Sequence, residues 1–87
     1  MRISQIIQSP TVRIILALYQ SGELRHAKLA KLTASRGTLS LCLRELEQEQ
    51  LIQRKVIDTK PPRSIYSLTE KGKTIAKQLK EIQQQIT

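Results

Sequence analysis

The 87-residue sequence predicts an α+β domain that is mostly helical, in which helices are followed by two strands and a last helix. Three observations lead to this prediction. Apolar residues recur at Leu39, Leu43 and Leu46, the spacing of a helix with one buried stripe. After Gln50 come two runs rich in β-branched residues, LIQRKVI and SIYSL, which flank the segment TKPPR. A further apolar stripe with helical spacing ends the chain. This order is that of a winged helix-turn-helix with a two-to-three-stranded antiparallel wing.

The length predicts a single domain, residues 1–87, with a small core. A domain of this size buries roughly 60–65% of the surface of its unfolded chain, so its stability is marginal and often supplemented by a partner. The sequence has no Trp or Phe. Ile, Leu and Val must therefore supply the core.

The charge predicts the partner. Fifteen lysines and arginines stand against seven acidic residues, which gives a net charge of +8. This balance indicates a polyanion: duplex DNA, RNA or an anionic membrane. No apolar run approaches the roughly 20 residues that span a membrane. RNA-binding proteins usually stack bases on exposed aromatic side chains, and this chain has only two tyrosines. We therefore expect double-stranded DNA as the partner and no membrane association.

Several other classes of protein are disfavoured. The N-terminal segment lacks the apolar region of a secretory signal, so we expect a cytoplasmic, nucleoid-associated protein. His26 and Cys42 are the sole histidine and cysteine, so no metal site is expected. Gly22, Gly37 and Gly72 are too far apart for a phosphate-binding loop. No acid pair or nucleophile–base set is visible, so we expect neither an enzyme nor a cofactor.

The first predicted helix begins at Ser9-Pro10, because Ser caps free amides and Pro is tolerated at the first helical position. Ser21-Gly22 ends it with a residue that adopts positive φ readily. The face expected to be buried consists of Val12, Ile15, Leu16 and Tyr19.

Two helices joined by a short turn follow. A brief extended link, 23–25, leads to a helix from about His26 to Leu32. A turn of about three residues is the length that sets two helices nearly perpendicular in a helix-turn-helix. Ser35 is the expected N-cap of the second, the recognition helix, which runs to about Gln50. Its last turns carry three glutamates. The amino-terminal half is therefore expected to lie nearer to DNA.

The wing is expected to consist of strands at about 52–57 and 64–68. Two consecutive prolines, Pro61-Pro62, cannot donate to a strand ladder, so they belong to the hairpin tip. Lys60 and Arg63 flank the prolines. The stiff tip should hold these cations out with little entropy to lose on binding.

The last predicted helix, about 70–86, is capped by Thr69 and presents an apolar seam. Its side chains have the four-three-four spacing of a two-stranded coiled coil. A seam of about two heptads is too short to stand alone, so we expect a homodimer. The segment 1–8 carries a partial stripe and forms either a short helix or an arm on the second subunit. The expected dimerisation residues are Ile3, Ile6, Ile7, Ile75, Leu79, Ile82 and Ile86.

The runs TLSLCLRELEQEQLI and PPRSIYSLTEKGK resemble the MarR/HxlR-type winged-helix transcriptional regulators. The resemblance implies a homodimer that places one recognition helix per subunit in successive major grooves, with the wings at the flanking minor grooves. It also implies that Arg63 enters a minor groove. The chain departs from the family in two ways. It lacks the N-terminal cysteine segment of HxlR proteins, and Leu41 and Cys42 stand where the family usually has polar or basic residues.

Candidate DNA contacts come from three places: the first helix of the motif, the exposed side of the recognition helix, and the wing tip. Arg36 is the best base-contact candidate, because its guanidinium fork can bridge guanine O6 and N7. The alternative is a solvated or phosphate-bound Arg36. The complete set is Arg25, Lys28, Lys31, Ser35, Arg36, Gly37, Thr38, Ser40, Leu41, Arg44, Lys60 and Arg63.

Other residues of the recognition helix also have two interpretations. Gly37 either lets the backbone approach DNA or is a tolerated defect in the helix. Leu41 either packs on thymine methyls or completes a broad apolar stripe, the interpretation that we favour from the sequence. Arg44 meets phosphate or pairs with Glu47. Cys42 is expected to be a small hydrophobe at the edge of the core.

Three functions compete. The first is a dimeric DNA-binding transcriptional regulator, most often a repressor in related families. The second is an architectural, chromatin-type protein that coats DNA with little sequence preference, and the third is a winged-helix protein-interaction module. We favour the regulator. The sequence specifies neither an operator nor a small-molecule effector.

Overall fold

The structure, a computed structural model, describes residues 9–33 and 35–86 and has the predicted α+β, mostly helical architecture. Four helices and three strands are present in these ranges. Their order is α1 (Pro10–Ser21), β1 (Glu23–Arg25), α2 (His26–Ala30), α3 (Arg36–Gln48), β2 (Ile52–Ile57), β3 (Arg63–Leu68) and α4 (Glu70–Ile86). The winged helix-turn-helix prediction is confirmed, with α3 as the recognition helix and β2–β3 as the wing hairpin.

The sheet is antiparallel with the order β1-β3-β2. Tyr66 on the central strand lies opposite Leu24 on one side and Arg54 on the other. The segment 23–25, expected to be a brief extended link, is thus the third strand of the wing sheet. Side chains alternate across a strand, so the face that carries the buried Ile52, Tyr66 and Leu68 is the face turned to the helices.

The first helix begins and ends as predicted. The Val12 amide donates to Ser9 Oγ over 3.4 Å, and Pro10 is the first helical residue. Gly22 follows the helix with φ 84°, and its amide donates to the Leu18 carbonyl over 2.8 Å. Ser9 is therefore the N-cap, and the positive φ explains a glycine at position 22.

The buried face of α1 was predicted only in part. Val12 and Ile15 are buried, but Tyr19 is 36% exposed, and the almost fully buried residues are Ile14 and Leu18. The helix lies between α3, α4 and β3 and contacts all three. A helix that is contacted on several sides buries a wider face than a single stripe. Tyr19 lies at the edge of this buried face, and the centre of its ring is 5.9 Å from Lys80 Nζ.

The core fills the space between the helices and the inner face of the sheet. Its largest fully buried side chains come from α1, α2 and α3, and each contributes roughly 1.5–3 kcal/mol by burial. They are Ile14, Leu18, Leu29 and Leu39. Leu29 and Leu39 belong to the two helices of the helix-turn-helix, so the core fixes the angle at which α3 is presented.

A set of backbone contacts, which we call the α3–α4 joint (Gln50, Leu51, Thr69 and Gly72), connects the exit of the recognition helix to the last helix. The Thr69 amide donates to the Leu51 carbonyl over 3.0 Å, and Thr69 Oγ1 donates to the Gln50 carbonyl over 2.6 Å. The Gly72 amide donates to Thr69 Oγ1 over 3.1 Å, which confirms Thr69 as the cap of α4. A Cβ at buried Gly72 would collide with the Leu51 carbonyl oxygen.

The apolar seam of α4 changes character along the helix. Ile75 and Leu79 are half-buried, and Leu79 packs against the core, whereas Ile82 is 40% and Ile86 43% exposed. The other proposed dimer residues, Ile3, Ile6 and Ile7, lie outside the described residues. The homodimer stays a prediction at this point. Within the described ranges, no helix is both long and apolar enough to cross a membrane.

Candidate nucleic-acid interface

The recognition helix begins at a hydroxyl pair. Ser35 Oγ accepts from the Thr38 amide over 3.1 Å and donates to Thr38 Oγ1 over 2.9 Å. Ser35 is therefore the N-cap, as predicted. Both hydroxyls have a local partner, and they fix the first turn of α3, which carries Arg36 and Gly37.

A polar stripe runs along the exposed side of α3. Arg36, Ser40 and Arg44 follow one another at four-residue intervals, so they share a face, and all three are exposed. Gly37 and Leu41 form the adjacent row and are exposed too. A Cβ at Gly37 would have only Ser35 Oγ nearby, at 3.9 Å. Nothing inside the described part of the protein therefore requires a glycine at position 37.

Leu41 corrects the interpretation that we favoured from the sequence. Its side chain is 54% exposed, so it does not complete an apolar stripe. The physical reason is that two residues turn a helix by about 200°, which sets Leu41 opposite the buried Leu39. Cys42 is buried, as expected, and its Sγ accepts from Thr11 Oγ1 over 3.4 Å.

Arg44 forms no ion pair with a carboxylate of the described residues. The ion pair with Glu47 does not form, and between residues 9–33 and 35–86 the salt bridge recorded is Lys73–Glu70, at 3.4 Å. Both members of that pair are on α4. The arginines of the recognition helix therefore form no ion pair within the described chain.

A groove lies between α3 and the wing. Tyr66 is buried at its floor, and Arg54 stands opposite Tyr66 in the strand ladder. The ring of His26 is 6.4 Å from the ring of Tyr66, at an angle of 44°. We call this space, of about 460 Å³, the wing groove; it is lined by His26, Ser40, Leu43, Arg44, Glu47, Gln48, Arg54, Ser64 and Tyr66.

A second hollow continues the wing groove towards the hairpin tip. Its volume is about 500 Å³, and we call it the tip hollow; it is lined by Arg25, His26, Ala27, Pro62, Arg63 and Ser64. His26 and Ser64 line both spaces. The two hollows therefore form one path from the recognition helix to the tip, with arginines from α3, β1, β2 and β3 along it.

The remaining predicted contacts are also accessible. Lys28 lies on α2, Lys31 directly follows it, and Lys60 lies between the wing strands, all exposed. Arg63, the first residue of β3, is exposed as well. Arg36 does not line the wing groove but lies one turn before Ser40, which does. The structure thus buries none of the predicted basic residues.

Two basic side chains of the groove, Arg54 and His26, were missing from the sequence-based set. Arg54 and Lys55 are neighbours in a strand and so lie on opposite faces, and their sequence alone does not decide which one lies on the inner face of the sheet. Ile52 decides it: this residue is buried, and Arg54 lies two positions on, hence on the same face. No comparable signal exists for His26, because its proximity to Tyr66 depends on the pairing of β1 with β3.

The described residues contain no group of three or more His, Cys, Asp or Glu side chains that could hold a metal ion. The arrangement offers guanidinium groups, hydroxyls and one imidazole on an open surface. These are donors for anionic oxygens, and the shape is elongated rather than enclosed.

Comparison with known protein families gives one match that extends over most of the chain. Residues 6–87 match the profile of the HxlR-like helix-turn-helix family. A curated relative, named an uncharacterized HTH-type transcriptional regulator of Methanothermobacter thermautotrophicus, is 39% identical over 66 residues. The match covers 71% of this chain and 49% of the relative, so the chain spans about half the length of the curated relative.

Solved structures agree with this assignment. A MarR family transcriptional regulator from Silicibacter pomeroyi superposes with a TM-score of 0.78 at 26% identity, covering 95% of this chain and 56% of that one. Diamide-treated YodB from Bacillus subtilis superposes with a TM-score of 0.72 at 27% identity, covering 91% and 80% of the two chains. The resemblance seen in the sequence is confirmed.

Proposed function

Because the chain belongs to the HxlR-like helix-turn-helix family, we propose that it is a homodimeric transcriptional regulator, most simply a repressor, that binds double-stranded DNA. The observation that carries this proposal is the continuous row of exposed cations from α3 to the wing tip. Regulators of this class work on chromosomal DNA, so we place the protein in the cytoplasm at the nucleoid.

The recognition helix would lie in a major groove with its amino-terminal half towards the bases. Arg36, in the first turn, would bridge guanine O6 and N7, a contact worth about 1–3 kcal/mol of discrimination against other bases. Lys28 and Lys31 belong to the helix-turn-helix segment that crosses the backbone in this geometry. Their contacts would go to phosphates and carry no sequence information.

The wing would reach the neighbouring minor groove. Lys60 and Arg63 flank the two prolines of the tip and are exposed. A narrow minor groove has an enhanced negative potential that attracts an inserted arginine. Arg63 is therefore the residue that we expect to enter it.

The homodimer would form along the outer half of α4. Ile82 and Ile86 are 40% and 43% exposed and continue the stripe that Leu79 begins. Leaving these apolar side chains in water is unfavourable, and a second copy of the seam would cover them. The two recognition helices would then meet successive major grooves of a palindromic site.

An architectural, DNA-coating role is the second candidate, and the family match does not favour it. The exposed Leu41 offers no hydrogen bond to the bases, although it can pack on thymine methyls. The two roles predict different binding when random duplex competes with a defined site. A regulator should retain a defined site against random duplex by roughly 10³-fold or more, whereas a coating protein should not.

The test begins with selection of bound duplexes from a random library, followed by fluorescence anisotropy on the enriched sequence and on random DNA. We expect Arg36→Ala to relax discrimination at one base pair, and Arg63→Ala to weaken binding to every sequence. Lys77→Ala, which removes an exposed charge from α4, is the control and should change neither. Failure to enrich any sequence would reject the regulator, and absence of duplex binding at low salt would reject both DNA-binding roles.

The dimer has a separate test. Ile82→Glu introduces a charge into the exposed part of the seam, where it should not disturb the core of the subunit. We expect monomers by light scattering. The control is Gln84→Glu, which adds the same charge two positions along, on the opposite side of α4. A dimer that survives Ile82→Glu would exclude this part of α4 as the interface.

A further inference from the structure

We propose that the wing groove holds a backbone phosphate of bound DNA between Arg44, Arg54 and His26, and that protonation of His26 strengthens this contact. The inference rests on the proposed function and deepens it. It adds two phosphate-binding residues, Arg54 and His26, to those predicted from the sequence, and it makes DNA affinity depend on pH.

The first argument is convergence. Arg44 comes from α3, Arg54 from β2 and His26 from the start of α2, and all three line the same groove. Neither guanidinium has a hydrogen bond or an ion pair with the described residues. Two exposed arginines on separate walls offer donors that a single phosphate between them could join, and Glu47 is the one carboxylate that lines the same groove. Charge-assisted bonds from arginine to phosphate are among the stronger hydrogen bonds in proteins.

The second argument concerns the shape of the anion. The wing groove and the tip hollow form one open path, since His26 and Ser64 line both. Arg44 and Arg54 lie along its first part, and Arg25 and Arg63 along the second. An elongated row of cations fits a chain of phosphates better than one small anion. If the recognition helix lies in a major groove and the wing in the adjacent minor groove, the DNA backbone between these two grooves would pass over the wing groove and the tip hollow.

The third argument concerns the proton. His26 is the only histidine in the sequence, and imidazole is the side chain that normally changes charge between about pH 5 and 8. The charged or titratable groups that line the same two spaces as His26 are Arg25, Arg44, Glu47, Arg54, Arg63 and Tyr66. Guanidinium, carboxylate and phenol groups ordinarily keep their charge across that range. A phosphate placed beside the imidazole favours its cationic form, so DNA binding should take up a proton.

The experiment measures binding of the full chain to a labelled duplex of random sequence by anisotropy, at constant ionic strength, from about pH 8 down to about pH 5.5. Random DNA suffices because a phosphate contact carries no sequence information. We expect wild-type affinity to rise about three- to tenfold on acidification. His26→Gln should lose most of this rise. His26→Arg should bind at about pH 8 as wild type does near pH 5.5, with little response to pH.

Arg54 is tested by salt dependence. Arg54→Gln should weaken binding about three- to tenfold at every pH and reduce the slope of log affinity against log salt by about one. Lys77→Gln is the matched control, since it removes one positive charge from the exposed surface of α4. It should leave the slope unchanged.

Two results would overturn the inference while leaving the proposed function intact: a pH response in both His26 variants equal to that of the wild type, or equal effects of Arg54→Gln and Lys77→Gln. Absence of duplex binding by the wild-type protein at low salt would reject the proposed function together with the inference.

Discussion

Replacing Gly72 with alanine tests the α3–α4 joint directly. In an open helix this change would stabilise, since glycine costs roughly 0.5–1 kcal/mol relative to alanine. At position 72, however, the new Cβ would collide with the Leu51 carbonyl oxygen and lie 3.2 Å from Leu68 Cδ2. The carbonyl cannot retreat easily. It accepts from the Thr69 amide over 3.0 Å, and the Leu51 amide donates to Leu46 over 2.9 Å.

The magnitude follows from these opposing effects. Overpacking of a filled site costs typically about 1–3 kcal/mol, and more where backbone must move. With the helix-propensity gain subtracted, we expect Gly72→Ala to lower the free energy of unfolding by about 2 kcal/mol. In a domain of this size, 1 kcal/mol corresponds to about 4–8 °C in Tm, so the melting point should fall by about 8–16 °C.

Gly37→Ala is the matched control, because the same change on α3 meets only Ser35 Oγ at 3.9 Å. We expect it to stabilise the protein by up to about 1 kcal/mol. Urea denaturation followed by circular dichroism measures both variants. A Gly72→Ala protein as stable as wild type would refute the account of the joint. The Gly37 variant also decides between two interpretations: weakened DNA binding would indicate close approach of the backbone to DNA, and unchanged binding a tolerated defect.

Three further predictions concern charge and exposure. Glu47→Gln removes the carboxylate from the wing groove and should raise affinity for random duplex about threefold by anisotropy. Glu45→Gln, which lies outside the groove, is the control and should not change the affinity. Equal effects of the two variants would show that the groove does not contact DNA. Leu41→Ser should change the free energy of unfolding by less than about 0.5 kcal/mol in urea titrations, because the side chain is largely exposed; a larger loss would mean that the residue packs in the fold. Raising salt should increase the Tm of the free protein, because the net charge of +8 produces self-repulsion that salt screens. The same increase in salt should lower the affinity for DNA. A Tm that decreased with salt in calorimetry would contradict this reasoning.

Much of the fold could be predicted because its signals are local. Ser9, Ser35 and Thr69 each cap a helix through a bond to an amide three residues on, and the strand at 52–57 was placed correctly. Such features depend on neighbours in sequence. The third strand, Glu23–Arg25, has only three residues and becomes recognisable through its pairing with β3. No periodicity can appear in so short a segment.

The candidate site was predictable in its charges but not in its shape. The exposed arginines of α3 and the wing tip follow from patterning, and all are accessible. The wing groove, in contrast, joins His26, Arg44 and Arg54, which are far apart in sequence. Their proximity depends on the register that sets Tyr66 opposite Arg54 and on the packing of α3 against the sheet. The prediction for Leu41 was wrong for a related reason. An apolar side chain suggests burial, but the position of the residue around the helix determines whether it is buried.

The α3–α4 joint has a mechanical consequence. Besides its own three hydrogen bonds, Lys71 Nζ donates to the Glu49 carbonyl over 3.1 Å, so the end of the recognition helix and the start of the last helix are held as one rigid body. In a dimer built on α4, the angle between the two copies of that helix would determine the separation of the two recognition helices. Half-site spacing on DNA depends on that separation. Any change in the crossing of the two α4 helices of such a dimer would therefore change the distance between the recognition helices without altering the DNA-binding surface.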